Sequence, residues 1–425
     1  MKTPEELRKE FWDADILSER GGIHSQYCEI KAVLDQPRPE WIQRKMRELK
    51  EHAVKNVPFY SHYSVDDVFP VVNKGLLLDN YEAHKAIAGF DAPTHISSTS
   101  GSTGTPFAII QDKKKRQRTI ADLKVYQELC DCPSHERIIY FRGTTKNRTR
   151  EQEERENIFY IDCGRLDNER LAEMFQSIVD LKPRTIFANV CTLRELCRYA
   201  KENNQIYEFE KLVSIRTGGE ACPEHIRKEV EKIFGCTVYR RYSDMELGIL
   251  AQDTGNGSPY QLNWGSFYFE CLKLNSDEPA SEGEVGRIVI TDLFNYAFPM
   301  IRYDTGDLGI MHHAENMYPV LEEIYGRSRD CVYDTKGNMI NPAVIEIAMW
   351  GNDTIKQMQF IQNDKKQYLI KINSAQKFVQ EDTVIDTYKE ILGNDAEIRI
   401  EFVDEIPVLA SNKRRDTVCN YVPKG

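Results

Sequence analysis

Between residues 120 and 245 the chain alternates between two kinds of segment, and this alternation restricts the fold more than any other feature. Short β-branched or aromatic runs (RIIYF from 137, RTIFANV from 184, LVSIRTGG from 212, TVYRRYS from 237) are separated by stretches with helical periodicity such as NERLAEMFQSIVDL and PEHIRKEVEKIF. Strand and helix in alternation argue for an α/β domain with a largely parallel sheet. Before it, the first 90 residues read as mainly helical, as in PEWIQRKMRELKEHAVKN, where Trp41, Met46, Leu49 and Val54 recur near helical spacing. After Gly265 the runs SFYFECLKL, VGRIVITDL and FPMIRYD follow one another across turns such as SEGEVG, which predicts a β-rich subdomain. QYLIKIN, QEDTVIDTYKEILG and AEIRIEFV then predict strand, helix and strand in a separate small α+β lid.

At 425 residues the chain exceeds what one core supports, so a large and a smaller domain are expected. Lys and Arg total 56 against 67 Asp and Glu, a net charge of −11 that suits neither nucleic acid nor an anionic membrane and leaves a small molecule as the expected partner. No stretch approaches the roughly 20 apolar residues that span a bilayer, and MKTPEELRKEFWDAD lacks the apolar core of a signal peptide. A cytoplasmic protein without membrane insertion is expected. The 11 cysteines show no CxxC spacing, so neither a disulfide framework nor a structural zinc site is indicated.

The stretch SSTSGSTGTP, residues 97 to 106, holds seven Ser/Thr and two Gly. Gly101 and Gly104 can take backbone angles closed to other residues, and their neighbours supply hydroxyls, so the loop can wrap a phosphate with N–H and O–H donors. It lacks the lysine of a Walker loop, which excludes the P-loop NTPases.

Further segments follow in order: RTGGEACP (216–223), RRYSDMELG (240–248), FPMIRYDTGDLG (298–309), YGRSRDCVYDTKGNMINPAVIE (325–346) and VLASNKRR (408–415). With the hydroxyl loop they make the chain resemble the adenylate-forming superfamily of acyl-CoA synthetases, luciferases and peptide-synthetase adenylation domains. NVPFYSHY from residue 56, the lysine-free loop and the wording FPMIRYDTGD resemble the phenylacetate–CoA ligase branch and its CapK-like relatives in capsular-polysaccharide biosynthesis.

The resemblance implies domains of 1–326 and 327–425, the second a lid that swings about a hinge near Arg329 and Asp330, with Gly337 on its second face. It implies ATP and Mg²⁺ as cofactors. Ser100, Gly101, Ser102, Thr103, Gly104 and Thr105 would cradle the β- and γ-phosphates, and Gly218, Gly219 and Glu220 would pass close to the adenine. Tyr242, with Ser243 beside it, would lie against that ring, and Glu246 would hold the metal, a hard cation served by one or two carboxylates and phosphate oxygens. Asp307 would accept both ribose hydroxyls, as a carboxylate can, with Arg327 helping from the domain border. Lys413 would reach the α-phosphate and the attacking carboxylate, with Asn412 taking the turn where the family commonly has glycine.

The implied activity is activation of a small carboxylic acid as its acyl-adenylate, then transfer to coenzyme A. The alternatives are transfer to an amine in cell-surface polymer assembly, or a nucleotide-binding protein without catalysis. A homodimer is compatible with the sequence. Many relatives carry a zinc-holding Cys/His set after the magnesium glutamate, but LAQDTGNGSPYQLNWGSF has neither residue type, so no zinc is expected. FRGTTKNRTREQEERENIFYI, from 141, replaces the glycine-rich apolar stretch of phenylacetate ligases, and its Arg142, Lys146 and Arg148 read either as a solvated loop or as a reception for an acidic substrate. DKKKRQR, 112–118, is expected to be the exposed start of a helix.

Overall fold

The computed structural model describes residues 2–17, 22–98, 108–142, 149–164, 166–204, 207–219, 222–257, 259–313, 318–327, 332–337, 339–340, 345, 355–374, 381–407 and 417–421. They form a mixed α/β chain in two compact units, Met1–Thr305 with Gly309–Ile324, and Gly306–Leu308 with Tyr325–Gly425.

In the first unit the alternating segments become consecutive parallel neighbours of a 12-stranded sheet, in the order Ile158–Asp162, Ile138–Arg142, Thr185–Ala188, Ser214–Thr217 and Thr237–Asp244. The helices Asn168–Leu181, Val190–Glu202 and Glu224–Phe234 bury Leu171, Phe175, Leu193 and Val230 against Ile139, Ile186, Ile215 and Val238 of these strands. Side chains alternate across a strand, so Tyr140, Phe187 and Arg216 belong to the other face.

Thr237–Asp244 is the pivot of the sheet. Its first half pairs parallel with Ser214–Thr217 and its second half antiparallel with Gly248–Asp253. The β-rich segment therefore extends the same sheet through Tyr260–Leu262, Val320–Arg327, Tyr303–His312, Val285–Asp292 and Phe267–Leu272. The N-terminal helix Pro39–Asn56 bridges two clusters, with Ile42 in the core under this region and Leu49 and Ala53 beside Tyr60 and Phe69.

The helix Lys113–Glu128 departs from expectation. Its basic start is exposed on one side only: Lys113 and Arg116 are exposed, but Lys115 and Arg118 have no accessible surface, and Asp122 is buried beside them. Lys115 Nζ lies 2.8 Å from Asp292 Oδ2 and 4.6 Å from the centre of the Phe267 ring. Arg118 donates to Glu29 Oε1 at 2.6 Å and to Ser266 Oγ at 2.9 Å, and Ser266 and Asn263 donate in turn to Asp122 at 2.7 and 2.9 Å. Burial raises the Asp122 carboxyl above its ordinary range, while the Arg118 and Lys115 charges pull it back. A run of like charges looks solvated in one dimension because its counter-charges are supplied from segments 89 and 177 residues away, Glu29 for Arg118 and Asp292 for Lys115.

In the second unit Gln367–Ser374, the helix Glu381–Leu392 and Glu397–Phe402 form a strand–helix–strand unit with parallel strands, extended by Ile355–Asp364 and Thr417–Cys419. Phe360, Tyr368, Ile370 and Tyr388 make its core. Buried Gln362 both accepts from the Tyr333 N–H at 2.7 Å and donates to its carbonyl at 3.0 Å, fastening the ribbon of Val332–Tyr333 and Met339–Ile340 to the sheet.

Candidate active site

The hydroxyl-rich segment joins two antiparallel strands, His95–Ser98 and Ala108–Gln111, with Ser98 opposite Ala108. Ser100, Gly101, Ser102, Thr103, Gly104 and Thr105 lie outside the described residues. At the base of the segment, Ser97 Oγ donates to the carbonyl of Met245 at 2.6 Å across 148 residues. That bond sets the strand His95–Ser98 beside the turn that carries Glu246. The turn is built by Asp244, whose Oδ1 accepts from the N–H groups of Leu247 at 2.6 Å and Gly248 at 3.3 Å. Glu246 is half-buried, and among the described residues no cation or hydrogen-bond donor engages its carboxylate.

Just before this turn the strand carries a β-bulge between Tyr242 and Ser243. Bulges re-aim side chains and are common beside active sites. The half-buried Tyr242 ring packs on the cluster of Leu250, Leu262 and Phe298, and its hydroxyl lies 3.4 Å from Thr305 Oγ1. Thr305 Oγ1 donates to the Ile288 carbonyl at 2.9 Å, so the tyrosine is placed by the strand that also holds Asp307.

Two residues of FPMIRYDTGD adopt left-handed backbone, Arg302 at φ 51° and Gly306 at φ 78°. Arg302 tolerates it because its backbone and side chain are both held: its N–H donates to Thr291 Oγ1 at 3.0 Å, its guanidinium meets Glu270 at 3.0 Å and the Phe69 carbonyl at 3.0 Å, and its carbonyl accepts from Val72 at 3.0 Å. Asp307, half-buried, directly follows Gly306.

Gly218 and Gly219 leave the strand Ser214–Thr217. A Cβ on buried Gly218 would sit 2.8 Å from Cζ of Phe187, and Gly219 has φ 81°. Gly218→Ala is expected to lower stability by about 1–3 kcal/mol through overpacking, read as a drop in thermal midpoint; an unchanged midpoint would mean that Phe187 moves aside freely. Glu220 and Lys413 lie outside the described residues, as does the side chain of Arg327, which ends the strand Val320–Arg327.

Sequence reasoning passed over Ser97 and Thr305. Ser97 is one hydroxyl among seven, and only tertiary pairing singles it out. Arg216 was also passed over, although a lone charge inside the apolar run LVSIRTGG was a visible signal. Among the described residues no group of three His, Cys, Asp or Glu is placed to hold a metal. Magnesium shared between one carboxylate and phosphate oxygens needs no such group, so Glu246 fits that cation.

Residues 332–420 match the CapK C-terminal domain family. Over 280 residues, 62% of this chain and 59% of the relative, the sequence is 24% identical to protein CapK of Staphylococcus aureus. Over 179 residues, 40% of each chain, it is 25% identical to phenylacetate–coenzyme A ligase of Thermus thermophilus. The match thus spans about three-fifths of CapK and two-fifths of the ligase. Among solved structures, 2-hydroxyisobutyryl-CoA ligase with the adenylate R3-HIB-AMP superposes with a TM-score of 0.68 at 17% identity, covering 90% of both chains. The same ligase in an open conformation with 2-HIB-AMP and CoA gives a TM-score of 0.59 at 19% identity, covering 91% of this chain and 92% of that one. The order of the sequence motifs and these likenesses agree: the chain has the fold of the adenylate-forming ligases and is similar in sequence to CapK and to the phenylacetate–coenzyme A ligases.

Proposed function

We propose that the protein is an ATP- and Mg²⁺-dependent ligase that activates a small carboxylic acid as its acyl-adenylate and passes the acyl group to coenzyme A. One observation carries most of this reading: the Ser97–Met245 bond joins the strand that leads into the hydroxyl loop to the Glu246 turn across 148 residues, and among the described residues the Glu246 carboxylate has no partner. Magnesium bound there would neutralise charge on the departing pyrophosphate.

The remaining assignments follow the chemistry of each side chain. Attack of a carboxylate oxygen on the α-phosphorus needs aligned reactants and neutralised charge. The hydroxyl and N–H groups of residues 100–105 hold the β- and γ-phosphates, and Tyr242 lies against the adenine, beside Ser243 and the Gly218–Gly219–Glu220 turn. Asp307 accepts the ribose hydroxyls with help from Arg327, and Lys413 reaches the α-phosphate and the incoming carboxylate from a lid of residues 327–425. The lid turn at Lys336–Gly337, closed by Gly337 N–H to the Asp334 carbonyl at 3.0 Å with φ 97° at the glycine, presents an open backbone to coenzyme A after the lid swings. Among the described residues no helix is long and apolar enough to cross a membrane; with the net charge of −11, this supports work on small molecules in the cytoplasm.

The test is pyrophosphate release from MgATP across aryl, arylacetic, fatty, amino, sugar and dicarboxylic acids, with and without coenzyme A. Thioester formation supports the full reading, release without thioester moves the acceptor to an amine, and silence across the panel refutes it. Asp307→Ala is expected to weaken ATP binding by about 10- to 150-fold, the loss of a hydrogen bond to a charged acceptor worth about 1.5–3 kcal/mol. Calorimetric titration with ATP checks this, and an unchanged Kd would remove Asp307 from the site.

A further inference from the structure

We infer that the acid carries a second anionic group, a carboxylate, which Arg216 receives at the end of an aromatic wall formed by Tyr140 and Phe187. The inference rests on the ligase reading above and names its substrate class.

Arg216 stands on the strand Ser214–Thr217 between residues that face the helix-side core, so its side chain projects to the opposite face of the sheet. It is 1% exposed. Among the described residues no carboxylate pairs with it, and its Nε has no hydrogen-bond partner. Three other buried cations of the large unit are matched: Lys115 by Asp292 at 2.8 Å, Arg118 by Glu29 at 2.6 Å, Arg227 by Glu224 at 2.6 Å. Arg216 instead has a second guanidinium for a neighbour. Arg241 is buried against neutral acceptors, Gln252 Oε1 at 2.7 Å and the Tyr126 carbonyl at 3.3 Å. Burial, and next the Arg216 charge, push Arg241 down to about 10. Two buried positive charges without a carboxylate are costly, and an anion from outside relieves the cost.

The surroundings select the kind of anion. The Phe187 ring centre lies 5.8 Å from the Arg216 guanidinium, the Tyr140 ring is 4.4 Å from Phe187, and Tyr160 stacks on Tyr140 at 5.6 Å. These rings are half-buried, leaving part of each open to a ligand. Exposed Arg142 lies over Tyr140 at 4.6 Å, adding positive charge to the outer end. At the inner end, Gly218 comes so close to Phe187 that only a glycine fits without a shift, and Gly218 begins the turn assigned to the nucleotide. A flat spacer along the rings would set one carboxylate towards the nucleotide and the other at Arg216. Such a group would bind in two N–H···O bonds, the geometry a guanidinium offers a carboxylate.

The test is calorimetric titration of the full chain with homophthalate, with its ester at the ring carboxylate, and with MgATP. The wild type is expected to bind the diacid at least about tenfold more tightly than the half-ester, a tenfold ratio being about 1.4 kcal/mol. Arg216→Met is expected to abolish that preference, and Arg216→Lys to keep part of it. Because Arg216→Met removes an unmatched buried charge, its melting temperature should hold or rise; should it unfold, Arg216→Lys and the wild-type preference decide. No wild-type preference, a preference retained in Arg216→Met, or an equal loss of MgATP affinity would overturn the inference, the last because the anion would then belong to the nucleotide. Pyrophosphate release separates the two readings. Diacid preference without release for any acid sinks the ligase and keeps the Arg216 site, whereas release with monoacids and no diacid preference does the reverse.

Discussion

Lys115→Met is expected to lower the unfolding free energy by about 3–5 kcal/mol, the cost of leaving one partner of a buried ion pair without the other. Its ammonium has no accessible surface, and its one carboxylate, Asp292 at 2.8 Å, is also buried. Among the described residues the orphaned Asp292 would keep only the Phe294 N–H at 3.0 Å on its other oxygen. Lys115→Met with Asp292→Leu should recover most of the loss, because replacing both members of a buried pair by apolar groups is often neutral or stabilising. Urea midpoints and slopes for the two single variants and the double variant measure this. If Lys115→Met leaves the midpoint unchanged, water reaches the pair and it contributes little.

Lys413→Ala is expected to reduce acid-dependent pyrophosphate release by about 10²–10³-fold, comparable to losing one preorganised donor to a developing charge. ATP affinity should change much less if, as proposed, the lysine acts where charge moves in the transition state. Single-turnover release with saturating ATP separates the effects. A loss confined to the ATP Kd would make Lys413 a binding residue, and full activity would end its role. The neighbouring Arg414 and Arg415 offer an internal comparison, since a solvated basic run would lose equally little from any of the three.

Much of the fold was legible because its signals are local. RIIYF, RTIFANV, LVSIRTGG and TVYRRYS all contain strands, and the helices fall in the periodic stretches between them. The same holds for QYLIKIN and AEIRIEFV in the smaller unit. Less legible was the continuity of the sheet. Thr237–Asp244 changes partner and direction of pairing midway, so the β-rich segment joins the parallel strands instead of forming a sheet of its own. Hydropathy alternation reports which face a residue takes and is silent about which neighbour its backbone bonds.

The candidate site divides the same way. The order of the segments containing Ser97, Gly218, Tyr242, Glu246 and Asp307 could be read in one dimension, and with it the resemblance to the adenylate-forming superfamily. Tertiary structure decided that Ser97, of seven hydroxyl residues, holds the Met245 carbonyl, that Lys115 and Arg118 in the basic start of Lys113–Glu128 are buried among Asp292, Glu29 and Asp122, and that among the described residues Arg216 has no such partner. Periodicity and turn chemistry depend on residues a few positions apart, so the sequence by itself determines them. Desolvation and charge pairing depend on atoms brought together across 89 to 177 residues, from Arg118–Glu29 to Lys115–Asp292, and those distances exist only after the chain has packed.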